Sequence, residues 1–138
     1  GGTGLQETQL KSLQKTLLPL KVEVFAIHAG LDNEEVFCEM LDKGYKILIT
    51  QVASDGGDKW LGKEINTNNF EEFKQDSTRY GFHIGMEGGY MDSLVLDGPI
   101  FNKKIEIIDS EKVIESKYNG YIKINNYKIV NKQIQIIN

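Results

Sequence analysis

Between Gly85 and Phe101 the sequence reads GMEGGYMDSLVLDGPIF, and this stretch gathers the side chains best placed to meet a ligand. Glu87 is followed by Gly88 and Gly89, then by Asp92 and Ser93, ahead of the apolar run Leu94 to Leu96. Adjacent glycines each cost roughly 1 kcal/mol inside a helix. In a loop they allow positive φ and leave no side chains to fill space, so another group can come close to the backbone. A carboxylate held there can capture that group, or it can fasten the loop to a neighbouring N–H. On residue chemistry alone the commoner arrangement is a tight turn before a buried strand, because Gly-Gly is frequent turn punctuation. His83 lies close enough in sequence to share a site with Glu87, although a structural histidine is the simpler reading.

The elements that must hold this loop follow from hydrophobic period and punctuation. Leu10, Leu13 and Leu17 recur at helical spacing, Thr3 is placed to cap the helix with Gln6 in the capping box, and Pro19 ends it. Val22 to Ile27 alternates as a strand that is apolar on both faces. Asp32 and Glu35 form the next capping box, Val36, Phe37, Met40 and Leu41 form a helical stripe, and Gly44 stops the helix. Tyr45 to Ala53 reads as a second interior strand. Strand, helix and strand joined this closely predict a βαβ unit with a parallel, right-handed crossover. A second group of acid and glycine, Asp55-Gly56-Gly57, follows the second strand at its carboxyl end, where open α/β sheets place their sites. Leu61 to Ile65 reads as a short helical turn. A helix capped by Asn68 or Asn69 then carries Phe70, Phe73 and Tyr80 and stops at Gly81.

Beyond Phe101 the period changes to two. Ile105 and Ile107 alternate with Lys104 and Glu106, and Val113 leads a further strand to Tyr118. Asn119-Gly120 is a strong hairpin signal. Asn125-Asn126 repeats it before Tyr127 to Val130, and Gln133 to Ile137 adds a final strand. The expected fold is α/β: a βαβ-based, partly parallel sheet with flanking helices and a C-terminal antiparallel β meander. Residues 1–110 form the main unit and 111–138 a hairpin extension of the same domain.

Composition narrows the function. With 138 residues, 40% of them hydrophobic, the chain can build one ordinary globular core. A net charge of −4 argues against a nucleic-acid binder, which usually shows a basic face. Lys103, Lys104, Lys112, Lys117, Lys123 and Lys128 alternate with acids or apolar residues and read as the solvated side of strands. The single cysteine, Cys38, allows neither a disulfide within the chain nor a thiolate metal cluster, and it fits a reducing cytoplasm. No apolar run approaches the roughly 20 residues of a membrane span. The chain does not begin with Met, and we read it as a piece of a longer protein.

The Gly85–Phe101 stretch resembles the C-terminal signature of the diphthine–ammonia ligase family, the N-type ATP pyrophosphatases of the PP-loop superfamily. Glu87, Gly88, Gly89, Ser93, Leu94, Val95, Asp97, Pro99 and Phe101 fall on matching positions without gaps. Upstream, Val52-Ala53-Ser54-Asp55-Gly56 and Trp60-Leu61-Gly62-Lys63 are similar to a second family pattern, and the resemblance covers roughly residues 1–110. There are departures. Met86 stands where the family usually has glycine, Tyr90 replaces its second glutamate, and Met91 replaces an aromatic residue.

The resemblance implies an enzyme that uses ATP with Mg to adenylate the carboxylate of diphthine, a modified histidine of the translation elongation factor, before ammonia displaces AMP. This chain would be the substrate-binding part of such a ligase. Its partners would be an N-terminal ATP-binding domain and the elongation factor, and a homo-oligomer stays open. The implied substrate-binding residues are Glu87, Gly88, Gly89, Asp92, Ser93, Asp55 and Gly56. Their acids suit the quaternary ammonium of diphthine, because opposite charges attract more strongly in a partly desolvated cleft than in water. Ser54-Asp55-Gly56-Gly57-Asp58-Lys59 looks like a scrambled phosphate loop of that superfamily. An intruding carboxylate spoils an anion cradle, so this chain alone is expected to bind no ATP. The alternative is a non-enzymatic binding module that keeps the fold without ligase activity.

Overall fold

The computed structural model describes residues 7–24 and 30–132. Helix α1 spans Glu7–Leu17 and runs into a single 3-10 turn, Leu18–Leu20, that carries Pro19. Thr3, half of the expected strand at Val22 to Ile27 and the final strand at Gln133 to Ile137 lie outside the described residues. Val22 to Val24 are described and are not part of a strand. Helix α2 spans Asn33–Asp42. Asp32 caps it through Oδ1, which accepts from the backbone N–H of Glu34 at 2.9 Å and of Glu35 at 3.1 Å. Helix α3, Phe70–Tyr80, ends at Gly81 in the left-handed conformation that lets a chain leave a helix. Asn69 sits at its N-terminus but spends its side chain elsewhere: Oδ1 accepts from Asn66 N–H, and Nδ2 donates to the Glu64 carbonyl.

The described strands are β1 (Lys46–Ala53), β2 (Glu64–Ile65), β3 (Met91–Asp97), β4 (Lys103–Ile114) and β5 (Asn119–Asn131). They form one sheet, with β1 at its centre. Strand β3 lies along one edge of β1, from Lys46 opposite Asp97 to Val52 opposite Met91. The other edge is shared. Glu64 and Ile65 of β2 pair with Leu48 and Ile47, while Asn119 to Tyr121 of β5 pair with Ala53 to Gln51. Mixed α/β architecture is therefore what the chain adopts. Every pairing among the described residues is antiparallel; of the parallel partner expected for β1, Val22 to Val24 form no strand and the other half is not described.

Two expectations along the sheet need correction. The short helical turn at Leu61 to Ile65 is instead a turn into β2. Gly62 takes φ 73° there, its N–H donates to the Ile49 carbonyl, and Lys63 returns its own carbonyl to Ile49 N–H. The exposed edge of β1 needs backbone partners, and this requirement outweighs the helical pattern of the side chains. In the β4–β5 ribbon, Asn119-Gly120 does not form the turn. Residues 115–118 do, with the Ser116 hydroxyl accepting from the N–H groups of Tyr118 and Asn119. Gly120 already belongs to β5, between Val52 and Ile114. A Cβ on it would stand 3.0 Å from both Leu61 Cδ2 and the Val113 carbonyl, so flatness is what its place demands. Asn125-Asn126 also continues the strand, with a slip in register around Asp109 opposite it. Among the described residues the C-terminal antiparallel part is thus one long hairpin.

Among the described residues the core lies between helices α2 and α3 and the inner face of β1. Phe37, Ile49, Trp60, Leu61, Ile65 and Phe73 have essentially no exposed surface. Its aromatic residues meet edge to face, Phe37 against Phe70 at 5.3 Å and Trp60 against Phe73 at 5.0 Å between ring centroids. Trp60 keeps its indole N–H satisfied by donating to Asp76 Oδ2 at 3.0 Å, and Lys59 donates to the same oxygen at 2.6 Å. Most of the ribbon's lysines are exposed, as the alternation implies, and two of them form ion pairs, Lys104 with Glu106 and Lys123 with Glu111.

Candidate functional site

The antiparallel register of β1 and β3 decides where the two acid-and-glycine segments meet. Because Val52 lies opposite Met91 and Ala53 N–H donates to the Tyr90 carbonyl at 2.8 Å, the segment leaving β1 and the loop entering β3 emerge at the same end of the sheet. The β4–β5 turn arrives there as well, since Asn119 lies opposite Ala53. Three loops, 54–57, 85–90 and 115–118, therefore crown one edge of the molecule.

The central loop is built on left-handed backbone. Met86, Gly88 and Gly89 have φ of 61°, 81° and 79°. Glycine takes these angles freely, whereas a methionine there carries strain of roughly 1 kcal/mol. His83 starts the loop: its carbonyl accepts from Met86 N–H at 2.8 Å and its Nδ1 accepts from Gly85 N–H at 3.1 Å. An imidazole whose Nδ1 accepts carries its proton on Nε2, which lies 3.2 Å from Asn33 Nδ2, so Nε2–H donates to Asn33 once that amide is turned to present its oxygen. His83 is thus a structural histidine that ties the loop to α2.

The loop encloses a cleft of about 390 Å³ lined by Gly85 to Gly89, Met91, Asp92 and Ser93. Glu87 is half-buried at this cleft, and Asp92 and Ser93 are exposed on the first turns of β3. Glu87, Gly88, Gly89, Asp92 and Ser93 are therefore assembled in one place. Two of the expected site residues are not in that lining. Asp55 turns back on its own segment, where Oδ1 accepts from Gly56 N–H at 3.1 Å, and it faces the ribbon, where with Asp58 it acts on Lys117. Lys117 is held protonated to higher pH first by its hydrogen bond to Tyr118 and then by these carboxylates. Gly56 lies beneath the ring of Tyr80.

In the 54–59 segment the Gly56 N–H donates to Asp55 Oδ1 and the Gly57 N–H to the Ser54 carbonyl, while Trp60 and Leu61 donate to the Gly57 carbonyl. Among the described residues there is no group of three His, Cys, Asp or Glu able to hold a metal ion.

Other residues of the matching signature build scaffold. Asp97 Oδ1 accepts from Gly98 N–H and from Lys132 Nζ, each at 2.8 Å, and Lys132 also donates to the Gly98 carbonyl at 2.8 Å. The Lys132 hydrogen bond, with help from Gly98 N–H and the charges of Lys132 and Lys46, holds the Asp97 carboxyl below its ordinary range against the opposing effect of burial. Phe101 packs edge to face on Tyr45.

Sequence reading passed over Gln51 and Tyr121. Gln51 lies opposite both Asp92 and Tyr121, and residues directly opposite in an antiparallel pair share a face. The row Asp92–Gln51–Tyr121 thus crosses three strands on the outer face. A second cleft of about 320 Å³, lined by Gln51, Val52, Glu115, Asn119, Gly120 and Tyr121, adjoins it. The only signal in the sequence was that Thr50 and Gln51 interrupt an otherwise apolar run.

Comparison with known proteins points the same way as the signature. Residues 32–130 match the model of the diphthamide synthase C-terminal domain, a span that includes β4 and nearly all of β5. The chain is 32% identical over 118 residues to the diphthine–ammonia ligase of Danio rerio and 31% identical over 118 residues to that of Homo sapiens. It is 29% identical over 123 residues to that of Bos taurus. These alignments take in 83%, 83% and 87% of this chain but 46%, 43% and 45% of the relatives, so the chain spans less than half the length of the curated relatives it matches.

Proposed function

Because this chain belongs to the diphthamide synthase C-terminal domain family, we propose that it is the substrate-recognition part of an ATP-dependent diphthine–ammonia ligase. The supporting observation is the cleft at Glu87: a half-buried carboxylate beside two glycines without side chains, with Asp92 at the same rim. Such a cleft suits the quaternary ammonium of diphthine, and its bare backbone admits a bulky residue. The nucleotide chemistry belongs to an N-terminal ATP-binding domain that uses Mg. There the diphthine carboxylate attacks ATP and expels pyrophosphate, then ammonia attacks the acyl adenylate and AMP leaves. The elongation factor supplies the modified histidine, in the cytoplasm. The chain's own residues bind and orient that side chain.

The test is a calorimetric titration of the chain with a peptide containing diphthine and with the same peptide containing unmodified histidine. Saturable binding of the first alone, weakened about tenfold or more by Glu87→Gln, is the expected result; a tenfold loss corresponds to about 1.4 kcal/mol. Equal affinity for both peptides would overturn recognition of the modification. A reading without ligase activity has one observation in its favour, the exposed Tyr90 in the place of the family's second glutamate. Joining the chain to the ATP-binding domain and assaying amide formation separates the two.

A further inference from the structure

The second cleft at the same end of the sheet has a chemistry of its own. We propose that the cleft between the end of β1 and the β4–β5 turn, lined by Gln51, Glu115, Asn119 and Tyr121, is a subsite for a cationic side chain, guanidinium or ammonium, of a bound polypeptide. That the ligand is a polypeptide rests on the function proposed above; that the subsite takes a cation rests on its own lining.

The lining offers acceptors to a cation. Glu115 contributes a carboxylate, Gln51 and Asn119 contribute amides, and the half-buried Tyr121 adds an aromatic residue to the lining. A cation over such a ring is attracted by its quadrupole. At about 320 Å³ the space is at the small end of ligand pockets, ample for one side-chain head group.

The protein's own cations nearby are occupied elsewhere. Lys117 reaches the Tyr118 hydroxyl at 3.2 Å and feels Asp55 and Asp58, Lys123 pairs with Glu111 at 2.7 Å, and Lys59 is held by Glu72 and Asp76. Glu115 has no ion-pair partner among the described residues, so its charge is left for a cation from outside.

The row Asp92–Gln51–Tyr121 then gives the subsite a distance from the Glu87 cleft. Two strand spacings of about 4.8 Å each place them roughly 10 Å apart, the reach of about three extended residues. A polypeptide lying across the strand ends would therefore place one residue at Glu87 and a basic residue about three positions away at Glu115.

The experiment is an NMR titration of the chain with N-acetyl-arginine amide, and in parallel with its uncharged counterpart N-acetyl-citrulline amide. The arginine compound is expected to give saturable shifts at the amides of Gln51, Glu115, Asn119 and Tyr121, with the citrulline compound at least fivefold weaker. Glu115→Gln, an exposed substitution that keeps shape, should remove that difference, and Tyr121→Leu should reduce it. Equal binding of the two compounds, shifts spread over all acidic residues, or an unchanged preference in Glu115→Gln would each overturn the subsite. Neither compound contains a modified histidine, so this result stands or falls independently of the diphthine peptide.

Discussion

The ring of Tyr80 occupies the space that a side chain on Gly56 would need. A Cβ built on Gly56 would lie 2.2 Å from Tyr80 Cδ2, and Gly56 holds φ at 69° besides. The last residue of α3 thereby clamps the segment that leaves β1.

This relationship gives the first prediction. Gly56→Ala should destabilise the chain by about 2–4 kcal/mol, combining left-handed strain with overpacking against the ring. In a Tyr80→Ala background the same substitution should cost only the strain, about 1–2 kcal/mol. Urea unfolding of the four proteins measures the difference, and an equal cost in both backgrounds would show that Tyr80 is not the obstacle.

A second prediction concerns Met86, which stands where the family resemblance expects glycine and has the φ of 61° that a glycine would take freely. Its side chain packs on the core, so truncation loses that contact in either case. Met86→Gly also removes the strain, whereas Met86→Ala keeps it. The glycine variant should be the more stable of the two by about 1 kcal/mol, the reverse of the usual order. Thermal melts compare them directly.

Asp76 is a buried acid whose one oxygen serves both Trp60 and Lys59. Asp76→Ala would leave the indole N–H without a partner in the core, at a cost of about 2–3 kcal/mol. Asp76→Asn keeps an acceptor and should cost less. Trp60 is the only tryptophan, so its fluorescence reports this environment without interference.

The pair Asp97 and Lys132 makes stability depend on acid. The folded carboxyl titrates below its unfolded value, chiefly through Lys132, so its contribution is present above the ordinary aspartate range, near pH 4. It is lost as the pH falls through the folded value. Lys132→Met should therefore lower the melting temperature at pH 7, and the gap from the parent chain should close as the pH falls below about 4. A gap that persists at pH 2 would assign the effect to packing of the lysine stem.

What the sequence disclosed and what it hid divide along physical lines. Caps and stops were legible at Asp32, Gly44 and Gly81 because each acts through its own local geometry. The loop ahead of β3 was legible because Gly88 and Gly89 are adjacent and both take positive φ. The steric need for glycine at position 56 was hidden because it comes from Tyr80, 24 positions away, and no local pattern carries that information. Asn119-Gly120 misled for the same reason: a strong turn signal yielded to close contact with Leu61 and Val113. The Asp92–Gln51–Tyr121 row depends on strand register, which only the folded sheet reveals.

The divided edge of β1 bears on how the chain folds and opens. Strand β5 touches β1 over only three residues, Asn119 to Tyr121, while β4 and β5 pair with each other along almost their whole length. The β4–β5 ribbon closes through a four-residue turn, so its ladder can form within roughly microseconds, whereas joining β1 to β3 must wait for closure of a much longer loop. Amide hydrogen exchange should accordingly resolve two cooperative units. The amides of β1, β3 and α3 should exchange together and last, and those of the outer ribbon earlier, at a lower opening free energy. Residues 119–121 join the two units, so the second cleft lies on the seam, and a ligand held there would slow exchange in the ribbon without touching its far end.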